Sequence, residues 1–353
     1  MGVKNLKKTL DSHAPDCLKQ CSLDDFSGYR IAIDLDLQLY RIITTKPIKM
    51  MFSQVDFYQD LEIVPDLNIA EQETRIEILR LAAKFMTLGI TPVFVTDGKP
   101  HPLKRNGNPK SKHDSERKKQ KQEDFLDEFY ECPGHLRTRK LIDQFKKNYL
   151  ANFKIRFEFK ETVCEILLGL GIPLIKADEI EVETNDAEAI CALLGIYEFT
   201  AAGYTRDTDF HVYGGELQIV EINGNTCQYR SLNEILIKMD LDFESFQDLC
   251  ILHGTDFNTN PNRIGPVKAY QIIKNYQSIE QWPDYQKYPE LSKYPEIKAH
   301  FDSTYQTEID FSELEERLDL NWETFHKTGK KVLAKYNLEY IRTWFKSLEV
   351  EIK

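Results

Sequence analysis

Residues 186–209 read DAEAICALLGIYEFTAAGYTRDTD. An apolar run, Ala189 to Ala202, is closed at either end by an acidic pair, Asp186 with Glu188 and Asp207 with Asp209. In an extended segment residues two apart point to the same side, so Asp207 and Asp209 converge if their piece is strand-like. Inside a helix positions i and i+2 do not face each other. Asp186 and Glu188 therefore converge only where a loop enters the helix expected over 189–194. Gathered carboxylates repel by roughly 4 kcal/mol per pair at about 4 Å and an effective dielectric of about 20, which calls for bound cations or raised pKa values. A single D-x-D is more often a pair of solvated surface charges. Further acids at strand ends shift that balance.

Upstream, Ile31-Ala32-Ile33 is a β-branched run that delivers Asp34 at its carboxyl end, with Asp36 two residues on. Pro92-Val93-Phe94-Val95 is a second strand and ends in Thr96-Asp97. In open α/β sheets ligands bind beyond the carboxyl ends of the strands, and here two strands each end in Asp. Further strands are expected at Ile172–Ile175, Phe199–Ala202 and Leu217–Ile222, and helices at Leu37–Ile43, Glu71–Leu88 (closed by Gly89) and Thr162–Gly169. The alternation predicts an α/β class with a central, largely parallel sheet and helices on both faces. Thr44 to Asn68 carries little signal. After Asn233 the chain reads as helical. Phe246–Gly254 and Val267–Tyr276 flank a polar loop holding Arg263-Ile264-Gly265-Pro266, whose amides suit a phosphate.

The chain has 353 residues, is 41% hydrophobic and 29% charged, and has no apolar run near the roughly 18 residues of a membrane span. Neither a signal peptide nor a myristoylation start is read at Met1–Leu6, so an intracellular, membrane-free setting is expected. That setting is the nucleus for a cellular protein, or the host cytoplasm or a viral replication site for a viral one. Seven cysteines without a C-x-x-C, and eight scattered histidines, argue against structural zinc. A net charge of −11 would ordinarily oppose a polyanionic partner, but the charge is unevenly placed. Lys104, Arg105, Lys110, Lys112, Arg117, Lys118, Lys119 and Lys121 stand against Asp114 and Glu116. Arg137, Arg139, Lys140, Lys146, Lys147, Lys154, Arg156 and Lys160 follow, interleaved with Phe125, Phe129, Tyr130, Phe145, Tyr149 and Phe153. This reads as a helical insertion whose basic residues meet phosphates and whose aromatics are available to stack on bases; the plainer account is a solvated helical surface.

At this point the pattern resembles the flap endonucleases, structure-specific 5′ nucleases of the XPG-like family. Met1–Leu6 looks like the family's opening, Ile31–Asp34 with Leu39-Tyr40 like its first ligand strand, and Val93–Pro100 like its second, with Lys104 at the spacing of an active-site lysine. Asp186-Ala187-Glu188-Ala189 stands for an E-A-E-A motif, Thr205–Asp209 for T-E-D-x-D, and Phe246–Phe257 with Ile264-Gly265-Pro266 for a helix-three-turn-helix. Asp186 replaces a glutamate, Arg263 stands where a first glycine is usual, and the cap arginine falls at Asp114, with Arg117 or Lys112 as substitutes. No sliding-clamp motif is recognised.

The resemblance implies a PIN-like/XPG-like nuclease fold: a nuclease core in two parts, residues 1–104 and 161–235, a basic helical cap at 105–160, and a helical region at 236–353. It implies a metal site of Asp34, Asp97, Asp186, Glu188, Asp207, Asp209 and Asp256. Lys104, Asp34, Asp97, Asp207 and Asp209 would be catalytic. Oxygen-only donors favour hard cations, so two Mg²⁺ ions are expected, with Mn²⁺ as a substitute; K⁺ at the helix-three-turn-helix is a further implied ion. Gly2, Tyr40, Lys112, Arg117, Lys118, Lys119, Lys121, Arg263, Gly265 and Lys268 would contact branched DNA, that is 5′ flaps, nicks and other junctions, with the protein a monomer. Two alternatives stand beside this reading, a catalytically silent DNA-binding scaffold and an RNA-directed nuclease of related fold.

Overall fold

The computed structural model describes the whole chain except residues 1, 61, 100, 106–108, 181–183, 307–311 and 346–353, and the side chains of residues 105, 109–115, 118, 305–306 and 312–313. In chain order the elements are α1 (Leu6–His13), β1 (Lys19–Ser22), β2 (Arg30–Asp34), α2 (Leu35–Ile43), α3 (Lys46–Ser53), α4 (Leu67–Thr87), β3 (Thr91–Thr96) and α5 (Pro102–Arg105). Then come α6 (Pro109–Glu131), α7 (Arg139–Asn152), α8 (Phe157–Gly169), β4 (Leu174–Lys176), α9 (Ala187–Ile196), β5 (Ala202–Tyr204) and α10 (Asp209–Val212). The remainder is β6 (Leu217–Asn223), β7 (Thr226–Ser231), α11 (Leu232–Met239), α12 (Phe243–His253), α13 (Pro266–Tyr276) and α14 (Tyr294–Gln306), followed by short helical pieces.

The chain divides into two compact units. One holds Met1–Leu37, Ala82–Gly107 and Ile166–Lys353, and the other Gln38–Leu81 and Asn108–Glu165. The first is built on a seven-stranded sheet of order β1-β7-β6-β5-β2-β3-β4. The five strands from β6 to β4 are parallel, while β7 runs antiparallel to both β6 and β1. Ile31, Ala32, Ile33, Val93, Phe94 and Val95 are fully buried, as central parallel strands covered on both faces should be. Helix α9 is buried from Ala187 to Leu194 and packs on β2, β3 and β5; a helix apolar all round belongs in a core. From β2 the chain crosses to β3 on one side, and from β5 to β6 on the other. The direction of winding therefore reverses between β2 and β5, the place where α/β sheets open a crevice at their carboxyl ends.

Differences from the sequence reading have local causes. The fourth strand is Ala202–Tyr204, not Phe199–Ala202, because the amides of Phe199 and Thr200 both bond the Leu194 carbonyl and so close α9. The third strand likewise starts later, at Leu174. Strands β1 (KQCS) and β7 (TCQYRS) were not expected; both are polar, and β1 lies at the sheet edge, so neither shows the alternation of a half-buried strand.

The second unit has an aromatic core. Phe57, Phe129 and Phe145 are buried, with ring centroids 5.8 Å apart for Phe57–Phe145 and 4.6 Å for Phe129–Phe145. Arg137 is buried over the Phe129 ring at 4.4 Å and donates to the carbonyls of Phe57 and Gln59. Arg156 grips both oxygens of Glu71. Several groups counted from sequence as DNA-facing are thus structural here: Phe125, Phe129 and Phe145 form a core rather than a stacking platform, and Arg137 ties a loop together.

Candidate active site

Each acid of the predicted cluster is placed by a recognisable local device. Asp34 ends β2, where the Leu37 amide donates to its Oδ1 (3.0 Å) and the Thr205 hydroxyl to its Oδ2 (3.0 Å). Asp97 follows β3. Its own amide and the Thr96 hydroxyl both donate to Asp36 Oδ2 (2.8 and 2.6 Å), and its Oδ1 accepts from the Ala187 amide at 2.8 Å, at the N-terminus of α9. Asp186 is the N-cap of α9 in extended backbone, and Glu188 lies in its first turn. This is the loop-to-helix junction at which an i, i+2 pair can converge.

Asp207 and Asp209 leave β5 through a turn. Thr205 Oγ1 accepts from the Asp207 amide, and Asp207 Oδ1 from the Asp209 amide. Gln218 from β6 holds the Asp207 carbonyl at 2.6 Å. Asp209 opens the short α10, so convergence of this pair comes from a turn and not from a strand. Asp256 stands just past α12 with its side chain 44% exposed.

These carboxylates share a low-dielectric pocket and pay for it electrostatically. Burial, then the charge of Asp97, pushes the Asp34 carboxyl well up; burial, then Asp186 and Asp207, does the same to Glu188. Burial, then Asp207, raises Asp209, and burial raises Asp207 despite the Asp209 amide. Lys104 brings a positive charge among them. Lys104 Nζ lies 2.8 Å from Asp186 Oδ2, 3.5 Å from Asp256 Oδ2 and 4.0 Å from Glu188 Oε1. Burial opposes its charge, but Glu188 and Asp186 outweigh that and raise its pKa.

As placed, and among the described residues, no three Asp, Glu, His or Cys side chains are gathered tightly enough to hold one metal ion. The donor set nevertheless fits a hard cation. It offers oxygen alone, and Asp209 Oδ1, in a residue 1% exposed, has no hydrogen-bond partner among the described residues. Gly2 makes room on the open side. Its φ is +86°, and a Cβ there would fall 1.9 Å from Asp207 Oδ1, so neither the backbone nor the space admits a side chain.

The sequence reading missed two residues of the site. Tyr213, fully buried, donates to Asp186 Oδ2 at 3.3 Å, and its oxygen lies 3.4 Å from His300 Nε2 on α14. No motif marks either; Tyr213 lies four residues past Asp209, and His300 arrives only through the tertiary fold. Asp36, noted in the sequence beside Asp34 without a role, is the anchor of the Asp97 backbone.

Of the expected DNA contacts, Arg263, Gly265 and Lys268 are exposed together at the N-terminal end of α13. Gly265 is the N-cap, and a Cβ on it would meet nothing within 4 Å. Arg263 has φ +62°, so the left-handed geometry expected of glycine is retained by an arginine. Tyr40 on α2 is 37% exposed. Arg117, Lys119 and Lys121 are exposed on α6; the side chains of Lys112 and Lys118 lie outside the described residues.

Comparison with known proteins identifies the family and the fold. The XPG N-terminal domain family matches residues 1–121 and the XPG I-region family residues 171–256. Flap endonuclease 1 of Cryptosporidium muris is 28% identical over 288 residues, covering 78% of this chain and 55% of its own length. The chain spans about half the length of the curated relatives it matches. Among solved structures, flap endonuclease-1 from Methanococcus jannaschii superposes with a TM-score of 0.61 at 18% identity, over 94% of this chain and 96% of that one. The catalytic core of Rad2 in complex with a DNA substrate gives 0.58 at 18%, over 95% and 100%.

Proposed function

Because the chain belongs to the XPG family, as the flap endonucleases do, we propose that it is a structure-specific nuclease that hydrolyses DNA phosphodiester bonds at 5′ flaps. The observation that carries this reading is the oxygen-only carboxylate cluster at the winding reversal of the sheet, with Asp209 Oδ1 left without a partner among the described residues. Asp34, Asp97, Asp186, Glu188, Asp207, Asp209 and Asp256 would hold two Mg²⁺ ions. Such ions supply Lewis acidity at the phosphate and lower the pKa of a bound water.

The chain's own residues do the rest. Thr205 and the Leu37 amide fix the rotamer of Asp34, the Asp36 carboxylate fixes the backbone at Asp97, and Tyr213 fixes Asp186. Lys104 holds the acids together in the free protein. On substrate binding its ammonium exchanges carboxylate partners for the scissile phosphate, adding positive charge where negative charge builds as water attacks phosphorus and the ester oxygen leaves. The exposed amides at the start of α13, with Arg263 and Lys268, meet duplex backbone away from the cut. Arg117, Lys119 and Lys121 meet the single strand. The net charge of −11 does not oppose this division, since the acids face cations and the bases face DNA.

At the turn before α13, where the resemblance implies K⁺, two features weigh against a cation. The Ile264 carbonyl already accepts from Asn260 Nδ2 (3.0 Å), and Arg263 brings a positive charge to the same turn. The deciding assay incubates the protein with Mg²⁺ and labelled 5′-flap, nicked, bubble and four-way DNA and an RNA flap. Preferential cutting of the DNA flap supports the reading. Cutting of the RNA flap alone would replace it with the RNA-directed alternative, and binding without cutting would leave a DNA-binding scaffold.

A further inference from the structure

At the far edge of the sheet from β4, Cys21 on β1 and Cys227 on β7 are directly opposite in the antiparallel ladder, with their sulfurs 3.3 Å apart. The register identifies the kind of pair. The Leu23 amide donates to the Asn225 carbonyl, which makes 23/225 a hydrogen-bonded pair; because the ladder alternates, 21/227 is one as well. Such pairs hold their Cα atoms about 5.5 Å apart, within the Cα range of disulfides, and the two sulfurs are already in contact at 3.3 Å. The two thiols differ in access: Cys21 is part-exposed, and Cys227 is buried. All seven cysteines are free in this structure.

From this juxtaposition we propose that Cys21 and Cys227 form a reversible modification site, closed to a cross-strand disulfide by a low-molecular-weight disulfide of the glutathione type. The Cys21 thiolate attacks one sulfur of the small disulfide, giving a mixed disulfide and releasing one small thiolate. Cys227 then loses its proton and attacks the Cys21 sulfur, expelling the second. Two protein thiols are oxidised and one small disulfide is reduced to two thiols. Burial pushes the Cys227 thiol up to about 12, so the first attack falls to the more exposed Cys21.

The cross-link has structural consequences. It would join residues 206 positions apart and so restrict the unfolded chain strongly. It would also tie down an edge strand whose preceding helix, α1, leads back to Gly2 beside Asp207.

The test treats the full chain at pH 8 with oxidised glutathione and reads free thiols, intact mass, tryptic peptides under non-reducing conditions, and Tm. Expected are the loss of two of seven thiols, a mass decrease of about 2 Da, one peptide pair joining Cys21 to Cys227, and a Tm several degrees higher, all reversed by dithiothreitol. Cys227→Ala should accumulate one glutathione on Cys21, while Cys21→Ser should take up none at Cys227. A wild-type protein that keeps all its thiols, stops at a stable glutathione adduct, or pairs other cysteines would overturn the proposal.

Discussion

The phenolic hydroxyl of Tyr213 donates to Asp186 Oδ2 at 3.3 Å, on the carboxylate oxygen that Lys104 also contacts at 2.8 Å. Burial, and then the charges of Asp186 and Glu188, keep the phenol protonated, so Tyr213 is a standing donor. Tyr213→Phe removes one oxygen and leaves the ring packing. The expected result is an apparent Mg²⁺ or Mn²⁺ affinity about tenfold weaker, with flap cleavage recovered at saturating metal. Calorimetric titration of Mn²⁺ into the protein without DNA checks this independently of activity. Unchanged metal affinity would reduce Tyr213 to a core residue.

The raised acids give a pH dependence with a definite sign. Folded Asp34, Glu188, Asp207 and Asp209 keep protons that the unfolded chain has released above about pH 4. Stability of the metal-free protein therefore declines as pH rises through their raised values. Lys104, also raised, contributes a constant amount below its unfolded pKa of about 10.5 and does not alter this window. Mg²⁺ should flatten the slope. Part of it persists, because Asp248, pushed up to about 6 by burial, lies outside the cluster, bonded to Tyr294 and the Ile279 amide. Melting curves from pH 4.5 to 8.5 with EDTA or Mg²⁺ check this; parallel curves would mean that no cation enters the cluster.

Gly265 and Arg263 separate folding from DNA contact at the same turn. Nothing lies within 4 Å of a Cβ on Gly265, so Gly265→Val should leave Tm nearly unchanged while weakening duplex binding and sparing a short single strand. Arg263 holds φ +62° at a cost, and Arg263→Gly should raise stability by roughly 1 kcal/mol while reducing duplex affinity. Denaturant unfolding and fluorescence anisotropy measure the two effects. Equal loss on duplex and single strand would show the turn to be structural only.

On α6, Arg117, Lys119 and Lys121 are exposed, and Lys119 is only loosely paired, 3.6 Å from Glu123 in a solvated i, i+4 contact. Replacing all three with Ala should slow flap cleavage and flatten its dependence on salt, each lost phosphate contact lowering the logarithmic slope by about 0.7 to 0.9. Stability should not move. An unchanged slope would assign these residues to a solvated face.

The sequence made the central sheet readable for a physical reason. Parallel strands buried on both faces must be near-continuous β-branched or apolar runs, and Ile31–Ile33 and Val93–Val95 are that, each delivering an Asp at its end. The acidic pair at Asp186 and Glu188 was legible as a loop-to-helix junction because helix geometry admits no other way for the two to converge. What escaped is what has no periodicity. Strands β1 and β7 are polar, α3 falls in a stretch with little signal, and Tyr213 and His300 are brought to Asp186 by packing between distant segments. Charge counting also overreached, since a buried Arg137 over Phe129 and an exposed Lys121 look alike in composition.

The carboxylate cluster is proposed to work through divalent cations on flap DNA. The most direct measurement compares wild type with Asp207→Asn on a labelled 5′-flap substrate, each with Mg²⁺ and with EDTA, alongside the flap Kd in the absence of cleavage. Wild type should cut only with Mg²⁺ and the variant not at all, while the variant's Kd stays within about tenfold, or roughly 1.4 kcal/mol. Full cutting in EDTA, or by Asp207→Asn in Mg²⁺, would contradict this proposal.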